Sequence, residues 1–369
     1  MNLLIIYIDK TIGAHGAECG LNEEERILFE QLAIANKYGK CLLCGDLSSL
    51  EWLMKELGDW HANFYKKVYD EYTQTKSIIL EVETVLVLSY DSAPKLPSFI
   101  ENKYKLLPIK EAVGYNLNQP CSMVAENLSD CRFYRLIAEK YRYSQNIRGI
   151  TLAFRDELGG GDTMNTVFEK CVSTDKVLTL GLMDSDIKYG CSKDYPQFPE
   201  PGETAKKLQK KYTELATQFH SATFDYCCLE VHELENLIPL CVLDELSNTT
   251  VPDMKPGVEY LKKLLSSNKT ESILLYDFKE GGKNVRNPNA KYDHLRSYWL
   301  EIADAVGDDS MPCLCRKVLD KAIEIMDKKT TNGEPYIISI PIDSYMQGIW
   351  HNVGKKVLSW GCANKPDRT

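Results

Sequence analysis

The 369-residue chain has no surplus of base: 44 Lys and Arg face 53 Asp and Glu, a formal charge of -9. A protein that coats duplex nucleic acid by general electrostatics needs a Lys/Arg surplus on the contacting face, so that class is excluded. A nuclease whose carboxylates surround a metal is not, because a bound cation inverts the local charge logic. No long apolar run occurs, so no segment reads as a membrane-spanning helix. The opening MNLLIIYIDK lacks the basic flank, the long apolar stretch and the small-residue cleavage site of a secretory leader. The 13 cysteines are odd in number and scattered, so they read as reduced thiols of a cytoplasmic protein rather than as a disulfide framework. There is no Walker A motif, no fixed-period repeat and no low-complexity tract. What remains is an ordinary globular composition, long enough for two or three domains with a sizeable core.

Strand and helix patterns alternate along the chain. LLIIYI at residues 3–8 reads as a buried parallel strand. Asn22 and Glu25 form a capping box for a helix that buries Leu28, Leu32 and Ala35 and stops at Gly39. KCLLCGD is strand-like, and Ser48 and Ser49 are caps for a helix with Leu50, Leu53, Met54 and Leu57 on one face. Residues 61–76 look helical and residues 77–90 strand-rich. Pro94, Pro97, Pro108 and Pro120 then punctuate an irregular region up to Asn127. A helix from Ser129 to about Tyr143 closes an N-terminal α/β domain at residues 1–145.

Residues 146–248 read as a second α/β domain. Its strands are IRGITLAFRDE, KVLTLGLMDSD and TFDYCCLEV; its helices are TMNTVFEKC, the lysine-rich ETAKKLQKKYTELATQFH and ELENLIPLCVLDEL. Residues 249–369 are mostly helical, with strand-like pieces at SILLYDF and YIISIPI. The alternation predicts an α/β fold with parallel sheets.

The middle domain concentrates carboxylates where open parallel sheets place ligands, at strand ends. Glu157 ends the first strand and Asp162 follows its glycine turn. Asp184 and Asp186 end the next, and Glu230, Glu233 and Glu235 follow the third. Carboxylates crowded at one sheet edge repel unless a hard cation takes them as ligands, and Mg²⁺ or Mn²⁺ is the natural occupant. Asp9 and Asp46 also end strand-like runs, where lone aspartates more often cap helices.

This order of motifs resembles the Toprim domain, a Rossmann-like parallel sheet. The HELEN run at His232–Asn236 and the basic Lys188 after DSD are similar to the nuclease branch related to the overcoming-lysogenization-defect proteins. The resemblance covers residues 146–248 and makes Glu157 the first-strand glutamate and Asp184 and Asp186 the DxD pair. It departs from the family where Glu-Gly is usual, since Glu157 is followed by Leu158 and then Gly159, Gly160 and Gly161. The glycine triplet could instead cradle a phosphate, although the GKS/GKT ending of a P-loop is missing.

The resemblance implies phosphodiester cleavage of DNA or RNA by metal-activated water, with two cations about 3.5 to 4 Å apart. Glu157, Asp184 and Asp186 would be catalytic ligands, joined at the metals by Asp162, Glu233 and Glu235. Lys279, or alternatively Lys188, would neutralise charge in the transition state. Lys188, Lys206, Lys207, Lys210 and Lys211 would form a rim that guides nucleic acid, with Lys283, Arg286, Lys291 and Arg296 as a second basic area. Relatives of this kind commonly work in antiviral defence beside an ATPase. Without a P-loop in this chain the ATPase would be a separate subunit, docked on the first or third part; a homo-oligomer is also compatible. The rival readings are an inactive Toprim-like interaction or sensor subunit, and phosphoryl hydrolysis on a small nucleotide. Cys41-x-x-Cys44 reads as a pair of buried structural thiols, not a zinc half-site.

Overall fold

The computed structural model describes residues 5–366, apart from residues 284, 286–292 and 331–332 and the side chain of Asp162. Its first strand, β1 (Ile5–Ile8), is wholly buried. Each such aliphatic side chain contributes about 1.5–3 kcal/mol when fully buried. Parallel pairing joins β1 to β2 (Leu43–Gly45) and to β3 (Val85–Ser89), and joins β3 to β4 (Tyr104–Pro108). The sheet order is β2-β1-β3-β4. A second sheet contains β5 (Cys121–Ala125), which pairs in parallel on either side. The chain then forms β6 (Ile150–Leu152), β7 (Phe154–Leu158), β8 (Thr179–Met183) and β9 (Phe224–Cys228). The second sheet runs β7-β5-β8-β9, so both sheets place their first strand between their second and third. Near the C-terminus β10 (Cys362–Asn364) pairs antiparallel with β6. The protein is therefore α/β with parallel sheets.

Packing divides the chain into two compact units: Met1–Gly181 with Gln209–Tyr226 and Asn352–Thr369, and Leu182–Leu208 with Cys227–His351. They cut across the segments 1–145, 146–248 and 249–369. Residues 146–181 share a unit with the N-terminal sheet, and the chain returns to that unit twice. In the first unit Ile5, Tyr7, Val85, Val87, Tyr141, Leu358 and Cys362 belong to one buried cluster, so a residue from the last helix completes the core of the first sheet. In the second, the helices Leu240–Thr249, Lys255–Ser266 and Val318–Met326 bury Leu243, Leu246, Leu261, Leu264, Ala322 and Ile323. Among the described residues no helix is long and apolar enough to cross a membrane.

Local signals explain many boundaries. The Asn22–Glu25 capping box is present, with Leu28, Leu32 and Ala35 buried. Asp9 and Asp46 are both N-caps. Asp46, not Ser48 or Ser49, caps the helix Leu47–Glu56, because its carboxylate accepts the Ser48 N–H at 3.0 Å. Residues 77–81 belong to the helix Tyr72–Glu81 instead of opening a strand. SILLYDF and YIISIPI are not strands either: they form the helix Thr270–Leu274 with a following turn, and the 3₁₀ turn Tyr336–Ile338. Conversely β4 and β5 lie inside the region read as irregular.

Candidate metal centre

Three segments of the second unit are tied together by main-chain hydrogen bonds. After β8, Ser185 N donates to Val231 O (3.1 Å) and Asp186 N to His232 O (3.0 Å); His232 N in turn donates to Leu274 O (2.9 Å). Asn236, 1% exposed, locks the arrangement. Its Oδ1 accepts the Glu233 N–H at 2.8 Å, and its Nδ2 donates to the carbonyls of Ile273 and Tyr276, each at 2.8 Å. SILLYDF is thus not a strand, yet it lies beside the HELEN run and delivers Asp277 and Lys279 to it.

The result is a cluster of His232, Glu233 and Asp277, whose ligand-capable atoms all lie within 4.8 Å of one another. His232 Nε2 is 3.6 Å from Asp277 Oδ2 and 4.0 Å from Glu233 Oε1. The imidazole is 1% exposed, and among the described residues neither ring nitrogen has a hydrogen-bond partner; nor has Glu233 Oε2. Asp277 Oδ1 accepts the N–H groups of Lys279 (3.0 Å) and Glu280 (2.7 Å), while Oδ2 faces Lys188 Nζ at 3.1 Å. Lys279 Nζ lies 2.9 Å from Glu233 Oε1 and 3.5 Å from Glu235 Oε1. Three carboxylates therefore meet two ammonium groups around a buried imidazole.

The electrostatics follow from that company. Burial pushes the Asp277 carboxyl up, but His232, the Glu280 N–H and Lys188 outweigh it and hold the group well below the usual carboxylate range. Burial and the Glu235 charge push the Glu233 carboxyl up, against the pull of His232 and Lys279. Burial lowers the Lys279 ammonium, yet Glu235 and Glu233 reverse the sign and keep it above the ordinary lysine value.

The DxD pair stands beside this cluster rather than in it. Asp184 Oδ2 accepts the Leu234 N–H at 3.1 Å. Asp186 has φ of +57°, a left-handed conformation that Asp tolerates better than most residues. Gly202 backs onto it closely: a Cβ there would stand 2.7 Å from Asp186 Cβ and 2.9 Å from its Oδ2.

Glu157 belongs to the first unit and lies within β7. Its carboxylate pairs with Arg155 Nε at 2.5 Å, and the same guanidinium reaches Asp175 Oδ2 at 2.8 Å. With Cys171 and Asp175, Glu157 forms the other group of close ligand-type atoms among the described residues, already neutralised by Arg155. Asp162 lies in the 3₁₀ turn Gly161–Thr163. Two N–H groups of the glycine turn are used within the fold: Gly159 N donates to Ala125 O (2.8 Å) and Gly160 N to Glu126 O (3.0 Å).

The helix Glu203–Ala216 carries the lysine rim. Its charges are largely matched by glutamates: Lys206 with Glu200 at 2.8 Å, Lys210 with Glu214 at 3.9 Å, and Lys211 with Glu169 and Glu214, each at 3.1 Å. Lys207 also lies on this helix. In the second basic area Lys283 pairs with Glu280 at 3.4 Å, and Arg286 and Lys291 lie outside the described residues. Cys41 and Cys44 are buried, and burial pushes the Cys44 thiol up to about 12.

Sequence reasoning missed three residues. His232 was visible only as part of a motif, because nothing local reveals that its ring is buried without a partner. Asp277 lies inside SILLYDF, read as a strand-like piece and not as a member of the cluster. Glu126 follows β5, the strand at which the order of the second sheet reverses, and such switch points are where open α/β sheets bind ligands. A Cβ on Gly161 would stand 3.4 Å from Glu126 Oε1, so Gly161 lies against this exposed carboxylate. The signal was the short apolar run CSMVA, masked by the preceding Pro120.

No family model matches the chain, and comparison with curated proteins and with solved structures finds no match.

Proposed function

We propose that the protein is a divalent-metal-dependent phosphodiester hydrolase of Toprim type, cleaving DNA or RNA. The observation that carries this reading is the constellation of Glu233, Glu235 and Asp277 with Lys188 and Lys279 around His232, directly beside the segment that bears Asp184 and Asp186. Orphaned buried acceptors at His232 and Glu233 fit a cation, since polar atoms so deeply buried are costly to leave unmatched. His232, Glu233 and Asp277 would hold it, with Mg²⁺ or Mn²⁺ as the expected ions and Asp184 and Asp186 as further carboxylates. When bound, the cation supplies Lewis-acid polarisation of a phosphoryl oxygen.

The chain's own groups would do the rest. Glu235, half-engaged with Lys279 at 3.5 Å, offers a carboxylate oxygen to orient the attacking water. Lys188 and Lys279 retain partial exposure and can turn their ammonium groups toward the scissile phosphate as charge develops on it. Glu157, which the resemblance makes the first-strand glutamate, is paired with Arg155 within its strand in the first unit. An antiviral role and a separate ATPase subunit are proposals of the same reading, tested by co-purification of a P-loop protein from the native operon.

Purified protein is incubated with plasmid, single-stranded DNA and RNA in Mg²⁺ or Mn²⁺, beside an Asp184→Ala, Asp186→Ala double variant. Metal-dependent cleavage by the wild type alone supports the reading; equal cleavage by both, or none by either, overturns it. The second reading, an inactive binding subunit, draws on the lysines that already neutralise the cluster. It predicts that neither Mg²⁺ nor Mn²⁺ stabilises the fold.

A further inference from the structure

We infer that His232, Glu233 and Asp277 form a site for a first-row transition cation in preference to Mg²⁺, with Lys188 and Lys279 as its displaceable internal counter-ions. This rests on the reading of the cluster as a metal centre and deepens it by assigning the ion class and a role for both lysines.

The imidazole decides the ion. Carboxylates alone suit Mg²⁺ and Mn²⁺, whereas a neutral ring nitrogen is a poor ligand for Mg²⁺ and a good one for Zn²⁺ and its first-row neighbours. His232 is 1% exposed, and neither of its nitrogens meets a hydrogen-bond partner among the described residues. A structural histidine in a core normally donates from one nitrogen and accepts at the other, so a ring with both unmatched is an unusual expense for the fold. Nε2 is directed at carboxylate oxygens 3.6 and 4.0 Å away, the sides of a small polar cage. Glu233 Oε2, also unmatched, adds a further acceptor to it. The cage is rigid: Asn236 fixes the Glu233 backbone, and two main-chain N–H groups hold Asp277 Oδ1 and leave Oδ2 facing inward.

The lysines occupy the charge position that a cation would take over. Lys188 sits on Asp277 Oδ2 and Lys279 on Glu233 Oε1, so each pairs with one of the two carboxylates of the cage. Their side chains are 42% and 38% exposed, so either can swing to solvent without opening the core. A cation entering the cage would repel both ammonium groups and free them on the outer face, where a phosphodiester would meet them. Metal loading and phosphate capture are coupled in this way.

The experiment uses the full chain and no nucleic acid. Binding of Mg²⁺, Mn²⁺ and Zn²⁺ is measured by calorimetry, and electron-spin-echo modulation is recorded on the Mn²⁺-loaded wild type. Expected are Zn²⁺ tighter than Mn²⁺ and Mn²⁺ tighter than Mg²⁺, with a ¹⁴N modulation from the imidazole. His232→Gln should weaken Mn²⁺ binding by at least about tenfold, the smallest loss seen even when only a group supporting a ligand is removed. Lys188→Met and Lys279→Met should each tighten it about tenfold, the effect of removing one like charge within about 4 Å. Mn²⁺ bound without nitrogen modulation overturns the imidazole ligand. Failure of all three ions to bind at millimolar concentration overturns the site. Unchanged or weaker Mn²⁺ binding in both lysine variants overturns their role as counter-ions. Binding with nitrogen modulation, together with no cleavage in the separate nucleic-acid assay, leaves this site standing and removes the nuclease reading instead. The wild-type spectrum keeps the test valid if a variant fails to fold.

Discussion

Lys188 Nζ lies 3.1 Å from Asp277 Oδ2 across 89 residues of chain, and the two ends of that pair are not equally buried. The aspartate is 8% exposed and also accepts two main-chain N–H groups, whereas 42% of the lysine side chain is exposed. The consequences of removing either partner should therefore differ. Asp277→Ala strands two donors and is expected to cost about 2–4 kcal/mol, while Lys188→Ala should cost about 1 kcal/mol or less. Urea denaturation of both variants checks this; equal losses would mean that the pair, rather than the turn, carries the stability.

Asn236→Ala removes three hydrogen bonds at once from a fully buried position. A destabilisation of about 3 kcal/mol is expected, since the Ile273 and Tyr276 carbonyls lose their donor. Asn236→Asp should be no better, because a carboxylate cannot donate to either carbonyl. Thermal melts of both variants distinguish this from simple loss of volume.

Gly202→Ala should disable the site while leaving the fold largely intact. The added methyl meets Asp186 Cβ and Oδ2 at under 3 Å, so the aspartate loop must shift. An overpacking cost of about 1–3 kcal/mol is expected, with metal-dependent cleavage falling far more than far-ultraviolet circular dichroism. Full cleavage by this variant would show that the position of Asp186 is immaterial.

Glu157→Gln tests the glutamate that the resemblance places at the first strand. Glu157→Gln should retain cleavage and instead lower stability, because Arg155 loses one of its two carboxylate partners. Loss of cleavage with unchanged stability would restore Glu157 to the catalytic carboxylates.

Asp308 provides a pH-dependent test away from the cluster. Its hydrogen bonds with Lys263 and with Ser310 hold the carboxyl at about 2, below its ordinary 3.8. The folded state thus binds fewer protons than the unfolded one between these values, and stability rises with pH there. The contribution is present above the unfolded value and is lost as pH falls through about 2. Asp308→Asn should flatten the urea midpoint between about pH 4 and pH 2 and leave its slope elsewhere unchanged.

Local chemistry was readable wherever it is settled by near neighbours. The Asn22–Glu25 box, the caps at Asp9 and Asp46 and the apolar run of β1 depend on residues a few positions apart, and the alternation of strands with helices followed from them. Short strands were harder: β4 and β5 each have five residues beside a proline, and proline marks an edge as readily as a loop. SILLYDF shows the opposite error, because an apolar run of that length suits a buried helix end as well as a strand.

The sequence by itself determined the α/β class, the excess of acid and the concentration of carboxylates after strands. Only the tertiary structure decided which of them share a volume. Glu157 is paired with Arg155, and Asp184 and Asp186 line the cluster's edge, while His232, Glu233 and Asp277 close within 4.8 Å. The reason is that burial and hydrogen-bond satisfaction belong to the packed chain: the His232–Leu274 main-chain bond and the three bonds of Asn236 bring the parts of that cluster together, and no local pattern encodes either.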